Sequence, residues 1–294
     1  MRKRHLRASA GSANIDIAGG GIAPIEAHRR PESPGLAGSV SGQMRSAHLV
    51  CVGGALAALA CIVVHAQGGP PMITDDPGTP GDGHWEINVA TLATRSVDGD
   101  SYQLPLIDLN YGWGDRIQLK YEVPWVLERD AGNSIAGLGN SLLGIKWRFY
   151  DAGPSGWQVS TYPQAQFNYP TSGSPRRGLA VGGTTYLLPA EFERSYENFD
   201  VNFEFGRWIR PAPLADSWVV GAVIGHEVLK GFEVIAEVHS EMAAGSRRET
   251  IVNFGSRWDF SDRYTLLISA GRDVQNTLGP TNTLITYLGL QMRL

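Results

Sequence analysis

The sequence lacks cysteine over most of its length, because Cys51 and Cys61 are its only two cysteines. Residues 67–294 therefore cannot form a disulfide scaffold, an iron–sulfur site or a cysteine-ligated zinc site. Aromatic side chains are absent from the first 66 residues, since all 8 Trp, 10 Tyr and 9 Phe come later. A uniform globular domain that begins at Met1 is therefore excluded.

A basic excess is also absent. The formal net charge is −4, and residues 67–294 carry 18 of the 25 Lys and Arg and 26 of the 29 Asp and Glu, a net of −8. Nucleic-acid-binding proteins usually carry a basic patch or a raised pI, so we expect no nucleic-acid partner. After residue 66 no run of 18 apolar residues occurs, so no transmembrane helix is expected there.

Residues 44–66 have the pattern of a secretory signal peptide: a short positive start, an apolar stretch from Leu49 to Val64, and small Ala66 before the cleavage site. Residues 1–43 are interpreted as a mis-assigned start, with translation beginning at Met44; the alternative is a disordered extension. A lipoprotein cysteine at Cys61 is disfavoured because apolar residues follow it. We expect residues 67–82 to be a periplasmic N-terminal segment.

Residues 83–294 alternate between apolar and polar side chains, which is typical of strands with two different faces. In 117–127, for example, Leu119, Tyr121 and Val123 alternate with Lys120 and Glu122. We count about twelve such strands, near the length that a tilted membrane strand needs. The sequence therefore predicts an all-β fold, a transmembrane antiparallel up-and-down β-barrel over 83–294.

Short and long connections alternate along the chain, as they do in outer-membrane barrels with short periplasmic turns and longer outer loops. The longer connections are predicted near 95–101, 128–138, 170–182, 210–216, 243–248 and 273–281. A soluble β-sandwich also alternates, but its strands are usually shorter. Seven tryptophans fall near predicted strand ends, as expected for aromatic girdles: Trp113, Trp125, Trp147, Trp157, Trp208, Trp218 and Trp258.

Several segments resemble an outer-membrane transporter family labelled "MetA-pathway of phenol degradation". They are 73–77 (ITDDP), 83–86 (GHWE), 108–112 (DLNYG) leading to 121–124 (YEVP), and 225–228 (GHEV) leading to Ala236 and Glu237. The resemblance covers the chain from about Pro71 to Leu294. It implies an outer-membrane barrel for the passage of small, often aromatic, molecules.

The segment Thr74, Asp75, Asp76 and Pro77 precedes the first predicted strand. We interpret it as a turn, because Asp binds nearby backbone N–H groups and Pro fixes the backbone. The alternative is a periplasmic plug or latch whose carboxylates reach into the barrel mouth. A calcium loop with Asp82 is discounted, since the spacing does not fit the EF-hand pattern.

Charges of both signs fall on the predicted lumen face. They would form ion pairs that stiffen the wall, a charged constriction that sorts solutes, or both. Twelve strands favour a narrow, selective path. The lumen-lining candidates are Glu86, Asp108, Lys120, Glu122, Lys146, Arg148, Glu204, Glu227, Glu233, Glu237, His239, Arg257, Arg272 and Arg293.

No catalytic residues, cofactor or metal are predicted. Glu237 and His239 share a face, and a His with a carboxylate can act as a general base. Ser240 points to the opposite face, however, and no hydrolase or nucleotide-binding motif occurs in residues 67–294. The histidines His84, His226 and His239 have no metal-ligand spacing.

The sequence thus predicts a channel in the outer membrane of a Gram-negative cell, through which small, hydrophobic or aromatic solutes diffuse passively. The alternatives are a barrel enzyme that acts on lipid and a barrel with a structural or adhesive role. Expected partners are outer-membrane lipid, the small-molecule solute, and the barrel-assembly machinery, which would recognise the C-terminal strand ending at Leu294.

Overall fold

The structure, a computed structural model, describes residues 69–130, 132–197 and 199–294. The predicted signal peptide, residues 1–43, both cysteines and the turn residue Asn198 lie outside the described residues. Strands account for most of what is described. They are β1 (Trp85–Ser96), β2 (Asp100–Trp113), β3 (Ile117–Asp130), β4 (Asn133–Leu138), β5 (Ser141–Asp151), β6 (Trp157–Thr161), β7 (Gln164–Phe167), β8 (Thr185–Ser195), β9 (Phe199–Ile209), β10 (Ser217–Leu229), β11 (Phe232–Ala243), β12 (Arg248–Ser261), β13 (Tyr264–Asn276) and β14 (Asn282–Arg293).

All strands pair antiparallel, and β14 pairs with β1, so the sheet closes into a barrel. Two barrel strands are each interrupted once. β4 and β5 both pair with β3, and β6 and β7 both lie between β5 and β8. Counted this way, the described residues form a barrel of twelve antiparallel strands, which confirms the predicted fold class.

Local chemistry explains both interruptions. At the first, an added Cβ on Gly139 would lie 2.6 Å from Val126, so the wall makes a close approach that only glycine permits. At the second, Pro163 has no backbone N–H to give to the ladder. Each barrel strand continues beyond its interruption.

The two faces of the wall are the reverse of those of a soluble protein. On β9 the polar side chains Asp200, Asn202 and Glu204 point inward and are buried, whereas Phe203 points outward and is 45% exposed. On β10, Val223 points inward and Ile224 is 50% exposed on the outside. Period-two alternation therefore places polar groups in the lumen and apolar groups on the outer surface.

Aromatic side chains collect at one end of the barrel, which we call the base: the end where β1 begins and β14 ends. Trp258, Phe260 and Tyr264 form a chain of ring contacts there, with centroids 6.1 and 6.0 Å apart. At the opposite end, the rim, Trp218 stacks on Phe205 at 4.9 Å. Such rings suit the interfaces of a membrane.

One tryptophan departs from the predicted girdle. Trp208 is 2% exposed and packs inside the barrel with Tyr162, Leu187 and Val219. It lies near a strand end as expected. However, it is four residues after Glu204 on β9, and side chains an even number of residues apart on a strand point to the same face, so Trp208 points inward as Glu204 does. The prediction that placed it in a girdle was therefore wrong.

The connections at the rim are mostly shorter than predicted. Residues 128–138 do not form a long loop, because β3 runs to Asp130 and β4 starts at Asn133. The longest connection, 168–184, includes a 3-10 turn at Pro175–Arg177 and buries Leu179 against the glycines of the β4 region. Among the described residues, no helix is long and apolar enough to span a membrane.

We predict that the outer face tolerates charge poorly once the barrel is in lipid. Ile224→Arg should lower the free energy of unfolding by about 2–4 kcal/mol, the cost of a cation near the bilayer midplane. The control is Val97→Arg, because Val97 is 70% exposed in the rim connection. Denaturant unfolding in liposomes compares the two variants, and equal effects would contradict a lipid-facing surface at Ile224.

Candidate functional site: an occluded lumen

The chain before β1 lies inside the barrel. We call residues 69–80 the N-terminal plug. Its tip is a tight loop in which the N–H of Gly69 donates to the Thr74 carbonyl at 2.8 Å and the N–H of Met72 donates to the Gly69 carbonyl at 2.9 Å. Residues 72–76 are all buried.

The carboxylate of Glu237 on β11 binds the tip. It accepts hydrogen bonds from the backbone N–H groups of Ile73 at 2.9 Å and Thr74 at 2.6 Å. The Thr74 hydroxyl lies 3.4 Å from Nδ1 of His239, two residues further along the same inner face. Glu237 and His239, the pair with possible acid–base chemistry, therefore both contact the plug.

Two glycines in the wall make room for the tip. A Cβ added at Gly221 on β10 would collide with the side chain of Thr74, and one at Gly255 on β12 would lie 2.5 Å from Cε of Met72. At Gly221 the plug is the close neighbour, whereas at Gly255 the carbonyl oxygen of Ile268 on the next strand, at 2.6 Å, also leaves no room for a Cβ. The sequence alone could not assign this role to either glycine.

Lys146 on β5 is the main cation against the plug. Its ammonium group is 2.9 Å from the Asp75 carboxylate, donates to the carbonyl oxygen of Asp76, and lies 3.9 Å from Glu191 on β8. It also sits 4.8 Å from the ring centroid of Tyr162. Lys146 is 2% exposed, so the plug completes the partners that a buried ammonium group requires.

The surroundings of Asp75 favour its charged form. Burial acts to raise the pKa of its carboxyl group, but Lys146 and Lys120 oppose this effect and hold the pKa below its ordinary value. The charged carboxylate is therefore available to pair with Lys146.

Two wall side chains bind the first three residues of the plug. Arg257 on β12 donates to the carbonyl oxygens of Gly69 at 3.0 Å and Pro70 at 3.1 Å, and it pairs with Glu233 at 3.4 Å. The Ser269 hydroxyl donates to the Pro71 carbonyl at 2.9 Å. Wall side chains thus satisfy backbone groups that would otherwise be buried without partners.

The plug also contains the local turn that the sequence suggested. An Asp76 carboxylate oxygen accepts from the N–H of Gly78, and an Asp75 oxygen accepts from the N–H of Asp76 at 2.8 Å. A turn alone is nevertheless an incomplete description, because Thr74 and Asp75 make long-range contacts with β5, β10 and β11. The turn and plug interpretations describe the same segment.

Other predicted lumen residues form a second buried cluster on β2 and β3. The Lys120 ammonium group lies 3.2 Å from Asp108 and 3.3 Å from Glu122. Asn88 donates to Asp108 at 3.1 Å. Lys120 balances one of the two carboxylates formally, and it contacts both.

Glu86, Arg148 and Arg293 lie at the base and are partly exposed. Arg293 pairs with Asp259 at 3.2 Å, and Arg148 donates to the carbonyl oxygen of Asp115 at 2.7 Å. They line the mouth of the lumen rather than its centre.

Glu227 and Arg272 differ in where they face. Glu227 lies directly opposite Glu233, on the inward-facing side of β10, but it is exposed at the base turn, where its carboxylate accepts from the N–H of Gly231 at 2.8 Å. Arg272 on β13 is exposed, whereas its neighbour Asp273 is buried on the inner face. Placing Arg272 in the lumen was wrong, because its position on β13 faces outward.

Sequence reasoning missed the carboxylates Glu191 and Glu193 on β8, which are 0% and 2% exposed. Their alternation with Phe192 was a usable signal. Pro189 within the same run weakened it, since proline is rare inside central strands.

The free space beside the plug is uneven. A cavity of about 320 Å³ lies beside Gly78 and Thr79 and reaches Arg148 and Glu193. Only about 30 Å³ remains between the plug and the wall at Asp75, Asp76, Asp108, Lys120 and Lys146. Such a volume holds one or two water molecules. At the base the lumen opens into a vestibule of about 700 Å³ beside Trp85 and Arg293. The described residues contain no group of three or more His, Cys, Asp or Glu arranged to hold a metal ion.

No protein-family model and no curated protein matches the chain. Solved structures do. The COG4313 outer membrane channel from Pseudomonas putida F1 is 13% identical with a TM-score of 0.57, over 74% of this chain and 98% of that chain. The NanC porin is 8% identical with a TM-score of 0.51, over 70% and 97%. The KdgM porin in complex with disordered oligogalacturonate is 8% identical with a TM-score of 0.50, over 70% and 98%.

At these identities the similarity shows the fold alone. The chain folds as a β-barrel of the kind found in outer-membrane channels. The narrower resemblance to the phenol-degradation family stays a prediction.

We predict that Lys146→Met destabilises the protein and loosens the plug, because it leaves Asp75 buried without its cation. Breaking a buried pair in this way costs about 3–5 kcal/mol. Denaturant unfolding gives the loss of stability, and limited proteolysis within residues 69–80 reports the loosening. Adding Asp75→Asn should restore part of the loss.

The matched control is Lys230→Met, because Lys230 is exposed at a base turn. A surface change of this kind should alter stability by no more than about 0.5 kcal/mol. An effect of Lys146→Met as small as that of Lys230→Met would contradict the proposed hold on the plug.

Proposed function

We propose that the chain is an outer-membrane channel through which small solutes diffuse passively. The proposal rests on the two faces of the closed barrel. The inner face has charged groups, and the outer face has an apolar belt bounded by aromatic rings. A closed barrel leaves no backbone group unpaired in lipid. The fold similarity to outer-membrane channels supports the same conclusion.

The solute is small because the path is narrow. Twelve strands enclose less space than the 16–18 strands of wide porins, and the plug fills much of what they enclose. A solute larger than water requires the plug to shift, so we propose that the plug controls passage.

Hydrophobic or aromatic solutes are the class we favour. Tyr162, Leu187, Trp208 and Val219 form a buried apolar cluster on the inner wall, which would offer contact to a ring once the plug shifts. The resemblance to the phenol-degradation family points the same way. Delivery by the predicted signal peptide and assembly through the C-terminal strand belong to this proposal.

The alternative of a lipid-acting enzyme has less support. Glu237 and His239 bind the plug, and Ser240 shares its hydroxyl contact with Thr250 at 3.0 Å rather than with His239. The short rim connections give little support to an adhesive role.

Planar-bilayer recording on the refolded chain tests the channel. We expect small conductance steps, and swelling of liposomes in solutions of small neutral solutes that protein-free liposomes exclude, such as arabinose. A barrel that shows heat-modifiable gel mobility but neither conducts nor admits solutes, even when the plug is displaced, would overturn the proposal.

Gly221→Val should displace the plug, since its Cβ would overlap the hydroxyl oxygen and the methyl carbon of Thr74. We predict a several-fold larger conductance than that of the wild type. Gly279→Val is the matched control, because a Cβ at Gly279 meets no atom within 4 Å. If both variants conduct like the wild type, the plug does not control passage.

A further inference from the structure

A group of carboxylates occupies the inner face of two neighbouring strands. We call Glu191 and Glu193 on β8, with Asp200 and Glu204 on β9, the β8–β9 acidic patch. Glu191 lies directly opposite Glu204, and Glu193 lies opposite Asn202. All four carboxylates are between 0% and 7% exposed.

Packing of the barrel does not require the carboxylate groups of the patch. Like charges directly opposite one another destabilise a sheet, and buried carboxylates lose their hydration. Glutamine would fill the same space without that cost. The patch therefore has a cost in stability that packing does not explain.

Three cations of the lumen pair with carboxylates outside the patch. Lys120 pairs with Asp108 and Glu122, and Arg293 pairs with Asp259. Arg257 pairs with Glu233. Lys146 pairs with the patch at Glu191, at 3.9 Å, but it lies closer to Asp75, at 2.9 Å. The four carboxylates of the patch therefore lie beside an ammonium group that is shared with the plug.

Acceptor oxygens next to the patch also lack donors. Asn202, which is 1% exposed, lies on the same inner face between Asp200 and Glu204, and its amide oxygen has no hydrogen-bond partner. One carboxylate oxygen of Glu191 has none either. Amide and carboxylate oxygens are the groups that replace water around a hard cation.

We propose that the β8–β9 acidic patch makes the channel select small cations over small anions. Rings of Asp and Glu act in this way in cation channels, since a negative potential in a narrow lumen concentrates cations and repels anions. The inference rests on the proposed function and adds a charge preference to it. Small amines and inorganic cations should pass more readily than carboxylates of equal size.

The test is a reversal-potential measurement on the refolded full chain in a planar bilayer, first in a KCl gradient. Benzylammonium chloride and potassium benzoate then serve as aromatic probes of similar size and opposite charge. We expect permeability to K⁺ to exceed that to Cl⁻ several-fold, and benzylammonium to pass more readily than benzoate.

The double variant Glu193→Gln with Glu204→Gln should lower the K⁺ to Cl⁻ permeability ratio toward one while the channel still conducts. Glu193→Gln alone should give a smaller decrease and serves if the double variant does not fold. The matched control, Asp98→Asn with Glu197→Gln, removes two carboxylates that are exposed in connections between strands and should leave the ratio unchanged.

The outcomes separate the two proposals. A conducting wild type that shows no cation preference, or a preference that the patch variants leave intact, overturns the selectivity and leaves the channel standing. If neither the wild type nor Gly221→Val conducts, both the channel and the selectivity are overturned.

Discussion

The antiparallel pairing of β14 with β1 is the interaction on which the rest of this structure depends. At the seam, Trp85 and Leu294 exchange backbone hydrogen bonds of 2.8 and 2.9 Å. Because the barrel is closed, each strand side chain faces either the lumen or the outer surface. Closure also leaves no sheet edge to pair with another chain. The polar lumen, the apolar belt and the enclosed plug all require it.

Inside the closed wall, the charges and the plug depend on one another. Lys146, Arg257 and Glu237 bind the segment 69–76, and the segment supplies partners that these buried groups would otherwise lack. Buried ion pairs contribute little net stability, but their loss is costly. Such a network suits a segment that must stay in one place and still be displaceable.

Sequence patterns predicted the strands well and the lumen only in part. Alternation is a local property, so it located Glu204, Glu237 and Lys120 on inner faces. It could not show that the chain before β1 folds back into the barrel, because no local pattern encodes contacts between Thr74 and strands more than 140 residues away. The errors at Arg272 and Trp208 have a local cause, since a charged residue lies on the outer face at Arg272 and an aromatic residue lies on the inner face at Trp208, the opposite of the usual pattern.

The position of the plug within the barrel is the central feature of this structure, and a cysteine pair tests it most directly. In a chain with Cys51 and Cys61 replaced by Ser, Thr74→Cys is combined with Gly221→Cys. The change at residue 74 removes the hydroxyl and methyl groups that would collide with a Cβ at residue 221, and the two Cβ atoms would lie 3.0 Å apart, just below the range that disulfides need. We predict that mild oxidation cross-links residues 74 and 221 in the folded barrel, and leaves a control pair at 74 and 279 unlinked. A folded barrel in which 74 and 221 do not cross-link, or do so no better than the control pair, would contradict the account.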